Sequence, residues 1–391
     1  MILRDVPRGD TTYLDAVATL GDVLAQRGFH FRYRSPARPG EALLLAYTPV
    51  ARMNPFQALL YSEAPRHGVG PLPVVKREDL CEIPWPGPMV CHFHWLASVL
   101  AGAKSDDEAD DRIGEFAALL DDVRSQGRQI VWTVHNVLPH DSLMPEKEIE
   151  LRRLLVDACT AIHVMAPETV DQVRPFFELP EERVFTVPHP SYRGAYPDHV
   201  SRADARAQLG IAEDEFVFLA FGAIQPYKGV EDLQEAFTQL KDEPAARPPT
   251  RLIVAGPASD AGLVRSVAAW SGARDDVMLR AGRIPNDDVQ YLYRAADAAV
   301  LPYRRSLNSG AALLALTFGT PIVAPDDGVL GTLAIQSRGV AYDADADGLV
   351  AGLRSALESD LSQAEPEIRE LVRQLAPRRI STQFTRELLK Q

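Results

Sequence analysis

The sequence predicts an α/β protein built from two doubly wound, Rossmann-like parallel-sheet domains, and three observations carry that expectation. The 391-residue chain is too long for one ordinary core and divides more naturally into two. Short runs rich in Val, Ile, Leu and Phe alternate with helical stretches, the signature of parallel strands buried on both faces. Those runs form two sets, each sufficient for one sheet, on either side of a connection rich in Pro, Gly and charge.

Residues 1–40 stand outside both sets. There "TTYLDAVATLGDVLAQRG" spaces Leu14, Val17, Leu20 and Leu24 as a helix would, and "FHFRYRSPAR" then alternates aromatic with basic residues. An added helix and an edge strand are the plain reading. The alternative is a cationic, aromatic surface for anionic lipid or a lipid-linked acceptor. The first set of strands is expected at 42–49, 72–76, 89–95, 129–136, 161–167 and 184–190. The second is expected at 216–223, 251–258, 277–283, 298–303, 321–325 and 339–343. Between them, "PHPSYRGAYPDHVSRADARAQLG" lacks an apolar period and reads as an interdomain connection. It divides the chain into a first domain at 1–198 and a second at 199–391. Doubly wound sheets bind ligands outside the carboxyl ends of their strands, so two such domains facing each other would enclose a cleft.

Composition narrows the function. With 46% hydrophobic and 24% charged residues the chain is an ordinary globular one, and its net charge of −13 argues against nucleic acid as a partner. Cys81, Cys91 and Cys159 are odd in number and widely spaced, which suits neither a disulfide framework nor a zinc site. No stretch reaches the length of a membrane span, so a cytoplasmic protein with at most peripheral contact at the inner face of a membrane is expected.

Two stretches draw attention as anion sites. In "FGAIQPYKGVEDLQEAF" (221–237), Gly222 marks a turn after a strand, Gln225 and Pro226 follow, and Lys228-Gly229 open a helix. Only 6 of the 41 basic residues are lysine, so Lys228 does not come from a lysine-rich background, and a compact ammonium there suits a phosphate. In "VLPYRRSLNSGAALLALTFGTPIVAP" (300–325), a strand leads through Tyr303, Arg304, Arg305, Asn308, Ser309 and Gly310 into an apolar helix. Asn and Ser there serve as an N-cap in the plain reading; in the sharper one the helix start receives a phosphate.

These two stretches, with "AGRIPNDDVQYLYRAADAAVLPY", resemble the nucleotide-sugar domain of GT-B glycosyltransferases, closest to the family-four-like group and bacterial mannosyltransferases of exopolysaccharide assembly. "NPFQALLY" (54–61), "HFHW" (92–95) and "IVWTVHNVLPHD" (130–141) are similar to the acceptor domain of that group. The resemblance implies that Lys228 and Arg283 contact the donor diphosphate, that Asn308, Ser309 and Gly310 cap its phosphates, and that Asn54 and His94 lie on the acceptor side. It further implies a nucleotide-sugar, such as GDP-mannose, as substrate and a glycan or lipid-linked acceptor; a metal-independent transfer with no separate cofactor is expected. Where the family carries two glutamates eight positions apart this chain has Ser306 and Leu314, and the arginine after the turn glycine is replaced by Ala223. An inverting enzyme and an inactive relative are therefore both open.

The chemistry itself calls for cations at the leaving diphosphate, supplied by Lys228, Arg283, Arg304 and the 308–310 cap. Inversion also needs a base for the acceptor hydroxyl. Asp141 is the first choice and His140 the second, with His135 orienting the sugar. Asp326-Asp327 and "DADAD" (343–347) read as loop acids rather than a metal site. A non-catalytic binding or partner subunit and a sugar-nucleotide epimerase are the alternatives. A nicotinamide dehydrogenase is disfavoured because no G-x-G-x-x-G follows the first strand of either half. The charged, helical last stretch is expected to cross back to the first domain.

Overall fold

The computed structural model describes residues 42–51, 54–139, 142–243, 248–258, 260–304, 306–345 and 347–391. The 1–40 segment, Arg305, His140 and Asp141 therefore lie outside the described residues. Two compact units make up the chain, one of Met1–Pro188 with Ile380–Gln391 and one of His189–Arg379.

The first unit holds β1 (Leu43–Thr48), β2 (Val69–Pro73), β3 (Met89–Phe93), β4 (Gln129–Thr133), β5 (Ala161–Val164) and β6 (Val184–Thr186) in the order β2-β1-β3-β4-β5-β6, with every pairing parallel. Its helices are α1 (Phe56–Leu60), α2 (Ala97–Leu100), α3 (Asp106–Ser125), α4 (Pro145–Ala158) and α5 (Thr169–Val173). Inner strands such as β1 and β3 are buried along their whole length, as both-face burial requires. The second strand was expected at 72–76, but it forms over Val69–Pro73. "VGPLP" is a poor strand former, yet at the sheet edge a proline need not donate to a ladder on both sides.

The second unit holds β7 (Phe216–Phe221), β8 (Thr250–Gly256), β9 (Val277–Ala281), β10 (Ala298–Val300), β11 (Ile322–Pro325) and β12 (Val340–Tyr342), again all parallel, in the order β12-β11-β10-β7-β8-β9. Its helices are α6 (Arg202–Leu209), α7 (Val230–Asp242), α8 (Ala261–Gly272), α9 (Asn286–Ala295), α10 (Gly310–Thr317), α11 (Gly328–Gln336), α12 (Gly348–Glu358) and α13 (Glu365–Gln374). A last helix, α14 (Pro377–Leu388), runs from the end of the second unit into the part of the chain that belongs to the first.

The stretch expected as a connection is built into the second unit instead. Tyr192 donates its N–H to Thr317 Oγ1 at 3.0 Å and Ser191 donates its own to Leu375 O at 2.7 Å. Ser201 caps α6, and the buried Arg206 guanidinium binds the Ala212, Glu213 and Glu215 carbonyls and Asp297 Oδ2. The links to Thr317, Leu375 and Asp297 tie this stretch to residues far along the chain, which no local composition shows. Among the described residues no helix is long and apolar enough to cross a membrane.

Both sheets have a point where chain order reverses: between β1 and β3 in the first unit and between β7 and β10 in the second. Loops leaving the carboxyl ends of such neighbours diverge and open a crevice.

Candidate functional site

In the second unit the β7 and β10 loops meet through their backbones. Gly222 follows β7 at φ 139° and donates its N–H to Ala255 O at 2.9 Å. Pro226–Lys228 then form one tight turn, and Gly229 starts α7 in the left-handed region at φ 65°. A Cβ on Gly229 would lie 1.8 Å from the Pro302 carbonyl oxygen, so only glycine lets the two loops approach.

That approach places Lys228 Nζ 3.8 Å from the centroid of the Tyr303 ring and 5.2 Å from that of Tyr227, a cation held against two π faces. Burial lowers the Lys228 pKa, with the Tyr227 hydroxyl pulling the other way. The Tyr303 hydroxyl is buried beside Ser309, makes no well-aligned hydrogen bond, and has its pKa raised by that burial. Ser309 Oγ instead accepts the Ala312 N–H at 3.2 Å and caps the eight-residue α10. A Cβ on Gly310 would stand 2.5 Å from the Tyr192 hydroxyl, so glycine admits that phenol to the first turn of α10. An ammonium, an unsatisfied phenol and a helix N-terminus thus surround one place, and an anion is the ligand they suit.

In the first unit the switch point carries rings. Period-two alternation and the register His92 with Val131 and Thr133 with His163 put His92, Thr133 and His163 on one face of the sheet. His94 and His135 follow two residues beyond His92 and Thr133. Tyr61, just after α1, places its hydroxyl 2.8 Å from His92 Nδ1 and 2.6 Å from His94 Nε2. His94 Nδ1 is 2.9 Å from His135 Nε2, His92 Nε2 is 2.7 Å from Thr133 Oγ1, and Thr133 Oγ1 is 2.9 Å from His163 Nδ1. The chain ends where His163 Nε2 meets the Val187 carbonyl at 2.8 Å. Burial, reinforced by the neighbouring imidazoles, holds His92 and His94 well below the usual histidine pKa. Phe384 of α14 stacks on His92 at 5.5 Å and meets His163 edge-on at 5.1 Å, closing the chain off from below.

Residues 201–373 match the family model for glycosyl transferases group 1. The second unit carries a group 1 glycosyltransferase domain. Among similar proteins, a D-inositol 3-phosphate glycosyltransferase of Segniliparus rotundus is 26% identical over 74% of this chain and 62% of its own length. This chain therefore spans less than two thirds of that relative. A GDP-mannose:glycolipid 4-beta-D-mannosyltransferase of Xanthomonas campestris is 26% identical over 75% of this chain and 76% of its own. Sucrose-phosphate synthase of Thermosynechococcus elongatus shares the fold, with a TM-score of 0.67 over 90% of this chain and 98% of its own at 18% identity. That likeness agrees with the two six-stranded parallel sheets of a GT-B protein.

Within the group 1 domain, Gly222, Gln225, Lys228, Tyr303, Asn308, Ser309 and Gly310 all fall on the two switch-point loops. Arg283 is exposed beyond β9, at the sheet edge. Arg304 departs from its expected role. Its Nε and Nη2 reach Asp232 Oδ2 and Oδ1 at 2.8 and 2.6 Å, so its charge is already matched by a carboxylate of α7. At the two positions where glutamates were implied, Ser306 donates to the Asn308 carbonyl at 3.1 Å and Leu314 is buried in α10.

In the first unit the exposed Asn54 accepts the Phe56 N–H at 3.0 Å in the turn just ahead of α1. His94 cannot be an acceptor contact, since it is 1% exposed and both its ring nitrogens are taken; it acts on His135 instead. Tyr61, His92, Thr133, His163 and Tyr192 escaped the sequence reading. Alternation in "HFHW" and "TVH" marks one face, but only the register brings the strands' residues together.

Proposed function

We propose that the protein moves a sugar from a nucleotide-activated donor, GDP-mannose being the first to test, to a hydroxyl of a glycan or lipid-linked acceptor. The observation that carries this reading is the buried Tyr303 hydroxyl without an aligned partner, set beside Lys228 and the N-terminus of α10. A buried phenol left in that state costs free energy unless a ligand completes it. A diphosphate does so, accepting from Tyr303 and from the first turn of α10 while pairing with Lys228. The name of the Xanthomonas relative supports both GDP-mannose and a lipid-borne acceptor.

In the reaction the acceptor oxygen bonds to the anomeric carbon as the bond from that carbon to the donor phosphate breaks. The electron pair leaves on the diphosphate, where Lys228, Tyr303 and the helix N–H groups receive it. The acceptor proton passes to a base, for which Asp141 stays our first candidate. These groups supply the compensating charge, so we propose transfer without a divalent ion and with the donor as substrate, not resident cofactor. A lipid-linked acceptor would bring the protein to the inner face of a membrane.

Titration with GDP and UDP tests the site. Tyr303→Phe should weaken the preferred diphosphate by about 1 kcal/mol, roughly fivefold. Unchanged affinity in that variant would remove the site from the proposal. Buried Leu314 favours a second reading, a binding subunit without turnover. GDP binding with no release of GDP from GDP-mannose in the presence of acceptor lipid would select it.

A further inference from the structure

We infer that Tyr192 is a second phenolic donor to the leaving diphosphate, supplied by the segment ahead of the matched 201–373 domain and placed at the first turn of α10. This role rests on the proposed transfer, because that reading brings a diphosphate to the same turn.

The segment from His189 onward belongs to the second unit but precedes its family match. Its backbone is pinned on both sides of Tyr192. Ser191 donates its N–H to Leu375 O at 2.7 Å, Tyr192 donates its own to Thr317 Oγ1 at 3.0 Å, and the Tyr192 carbonyl accepts the Ala195 N–H at 2.9 Å. Thr317 Oγ1 in turn donates to Leu313 O at 2.6 Å, so α10 itself anchors Tyr192. The ring packs against His189 and Tyr196, with centroids 5.5 and 6.0 Å away. Held in this way the residue is 5% exposed, yet its hydroxyl makes no hydrogen bond among the described residues. A buried phenol ordinarily finds a partner, and one without it suits a ligand.

That hydroxyl stands 2.5 Å from the point a Cβ of Gly310 would occupy, at the first residue of α10. Ser309, one residue earlier, caps the same turn and lies beside the Tyr303 hydroxyl. Two phenols from separate segments therefore flank one helix start, and Lys228 lies against the Tyr303 ring. With Arg304 tied to Asp232 and Arg283 exposed at the sheet edge, neutral donors must share the work with the ammonium. Burial raises the Tyr192 pKa, and the phenols of Tyr196 and Tyr303 add to it, so the hydroxyl keeps its proton at neutral pH. As the bond from the anomeric carbon to the phosphate oxygen breaks, the electron pair settles on the diphosphate. Tyr192 donates a hydrogen bond to it and transfers no proton. Such a bond strengthens as negative charge grows on the acceptor, so it favours departure more than binding.

The experiment is calorimetric titration of the full-length protein with inorganic pyrophosphate, with GDP or UDP, whichever binds more tightly, and with the matching nucleoside. Tyr192→Phe keeps the ring and its packing and removes only the hydroxyl. The nucleotide and pyrophosphate should each bind about fivefold more weakly, while the nucleoside stays within about twofold. Unchanged affinity for nucleotide and pyrophosphate overturns the inference, as does a loss for the nucleoside equal to that for the nucleotide. Gly310→Ala tests the placement. Gly310 lies outside the left-handed region, so its backbone accepts alanine, but the new Cβ must displace the Tyr192 hydroxyl. Nucleotide affinity should fall about fivefold in the wild-type background. In Tyr192→Phe, where the nearest ring carbon is 3.6 Å from that Cβ, the added cost should stay under about twofold. An equal cost in both backgrounds overturns the placement. Should Tyr192→Phe fail to fold, unchanged affinity in Gly310→Ala overturns it alone.

Kinetics tests the part played in departure. With donor and acceptor present, Tyr192→Phe should lower kcat about tenfold, beyond its effect on affinity, because the hydroxyl meets charge that develops only as the diphosphate leaves. Unchanged kcat overturns that part. Wild-type protein that binds pyrophosphate through Tyr192 but neither nucleotide would refute the proposed transfer and leave Tyr192 an anion contact. Wild-type turnover matched in full by Tyr192→Phe would refute the role of Tyr192 and leave the transfer standing.

Discussion

At the β1/β3 reversal of the first unit, each link from His135 to Val187 is closed at between 2.6 and 2.9 Å, and His92 and His94 are held neutral. At the β7/β10 reversal of the second unit, a lysine lies against a phenol ring whose own hydroxyl has no aligned partner. One topology thus serves two purposes. In one place polar groups satisfy one another; in the other they leave a hydroxyl and an ammonium that the proposed diphosphate would pair with. The difference lies in the residues the strands deliver to their carboxyl ends, not in the sheets.

The comparison is broken most severely at Gly229. Valine there must adopt φ 65° and put a Cβ 1.8 Å from the Pro302 carbonyl, a backbone atom that cannot swing aside. The two loops should separate, and GDP affinity should fall about 100-fold or more, roughly 2.7 kcal/mol. The first unit is fixed by its own register and should keep its histidine NMR spectrum. Calorimetric titration and that spectrum together check both halves.

Phe384→Ala attacks the other side. Its ring is fully buried against His92, His163, Phe185 and Tyr61, and a cavity of that size costs about 3–5 kcal/mol. Trp85, Trp95 and Trp132 lie in the first unit and Trp270 in the second, so fluorescence in urea reports mostly on the first. Its midpoint should drop. Acid sharpens the same contrast: His92 and His94 have folded pKa values below the ordinary 6.5, so unfolding takes up protons once the pH falls under that value. Stability is complete above it and declines toward the depressed folded values, by about 1.4 kcal/mol per pH unit for each histidine. The second unit has one resolved counterpart, His189, lowered by burial to about 4. Urea unfolding at pH 7 and pH 5 should find the first unit losing more.

Much of this was legible beforehand, for a definite reason. Parallel strands buried on both faces write themselves as continuous apolar runs, and all twelve expected runs contain or overlap a strand. Several runs overshoot, as at 129–136 against Gln129–Thr133, because the residues after a strand still enter packed loops. The Lys228 turn and the Ser309 cap were readable because backbone needs at a strand-to-helix turn are local. The pairing of Arg304 was not readable for the opposite reason, since its partner Asp232 lies on another helix. The histidine chain joins β3, β4, β5 and α1, and no spacing within one segment encodes it. The supposed connection before α6 likewise looked loose until Arg206 found Asp297.

Lys228→Ala should weaken GDP by about 10- to 100-fold, the range for losing a hydrogen bond to a charged group. Its sign with pH is fixed too. Burial lowers the Lys228 pKa, so the ammonium is lost at a lower pH than the ordinary 10.5 would set. Wild-type affinity should therefore decline on the alkaline side earlier than a solvated lysine predicts, and Lys228→Ala should lack that limb. An identical alkaline profile in both proteins would count against Lys228.

Arg304→Gln should do least, and it isolates what separates a basic residue from a binding one. Arg304 is nearer the anion site in sequence than Lys228, yet its guanidinium lies fork to fork with Asp232 and has Glu231 at 3.9 Å. Its side chain is 48% exposed, so the pair contributes at most about 1 kcal/mol to stability. Its charge is also cancelled before any phosphate arrives. GDP affinity in Arg304→Gln should stay within about threefold of wild type, under roughly 0.7 kcal/mol. Asp232→Asn supplies the converse, because it releases the guanidinium and should tighten GDP slightly, an effect that vanishes in the double variant with Arg304→Gln. A loss in Arg304→Gln as large as that in Lys228→Ala would show that the fork opens when the diphosphate binds, and the distinction between the two cations would fall.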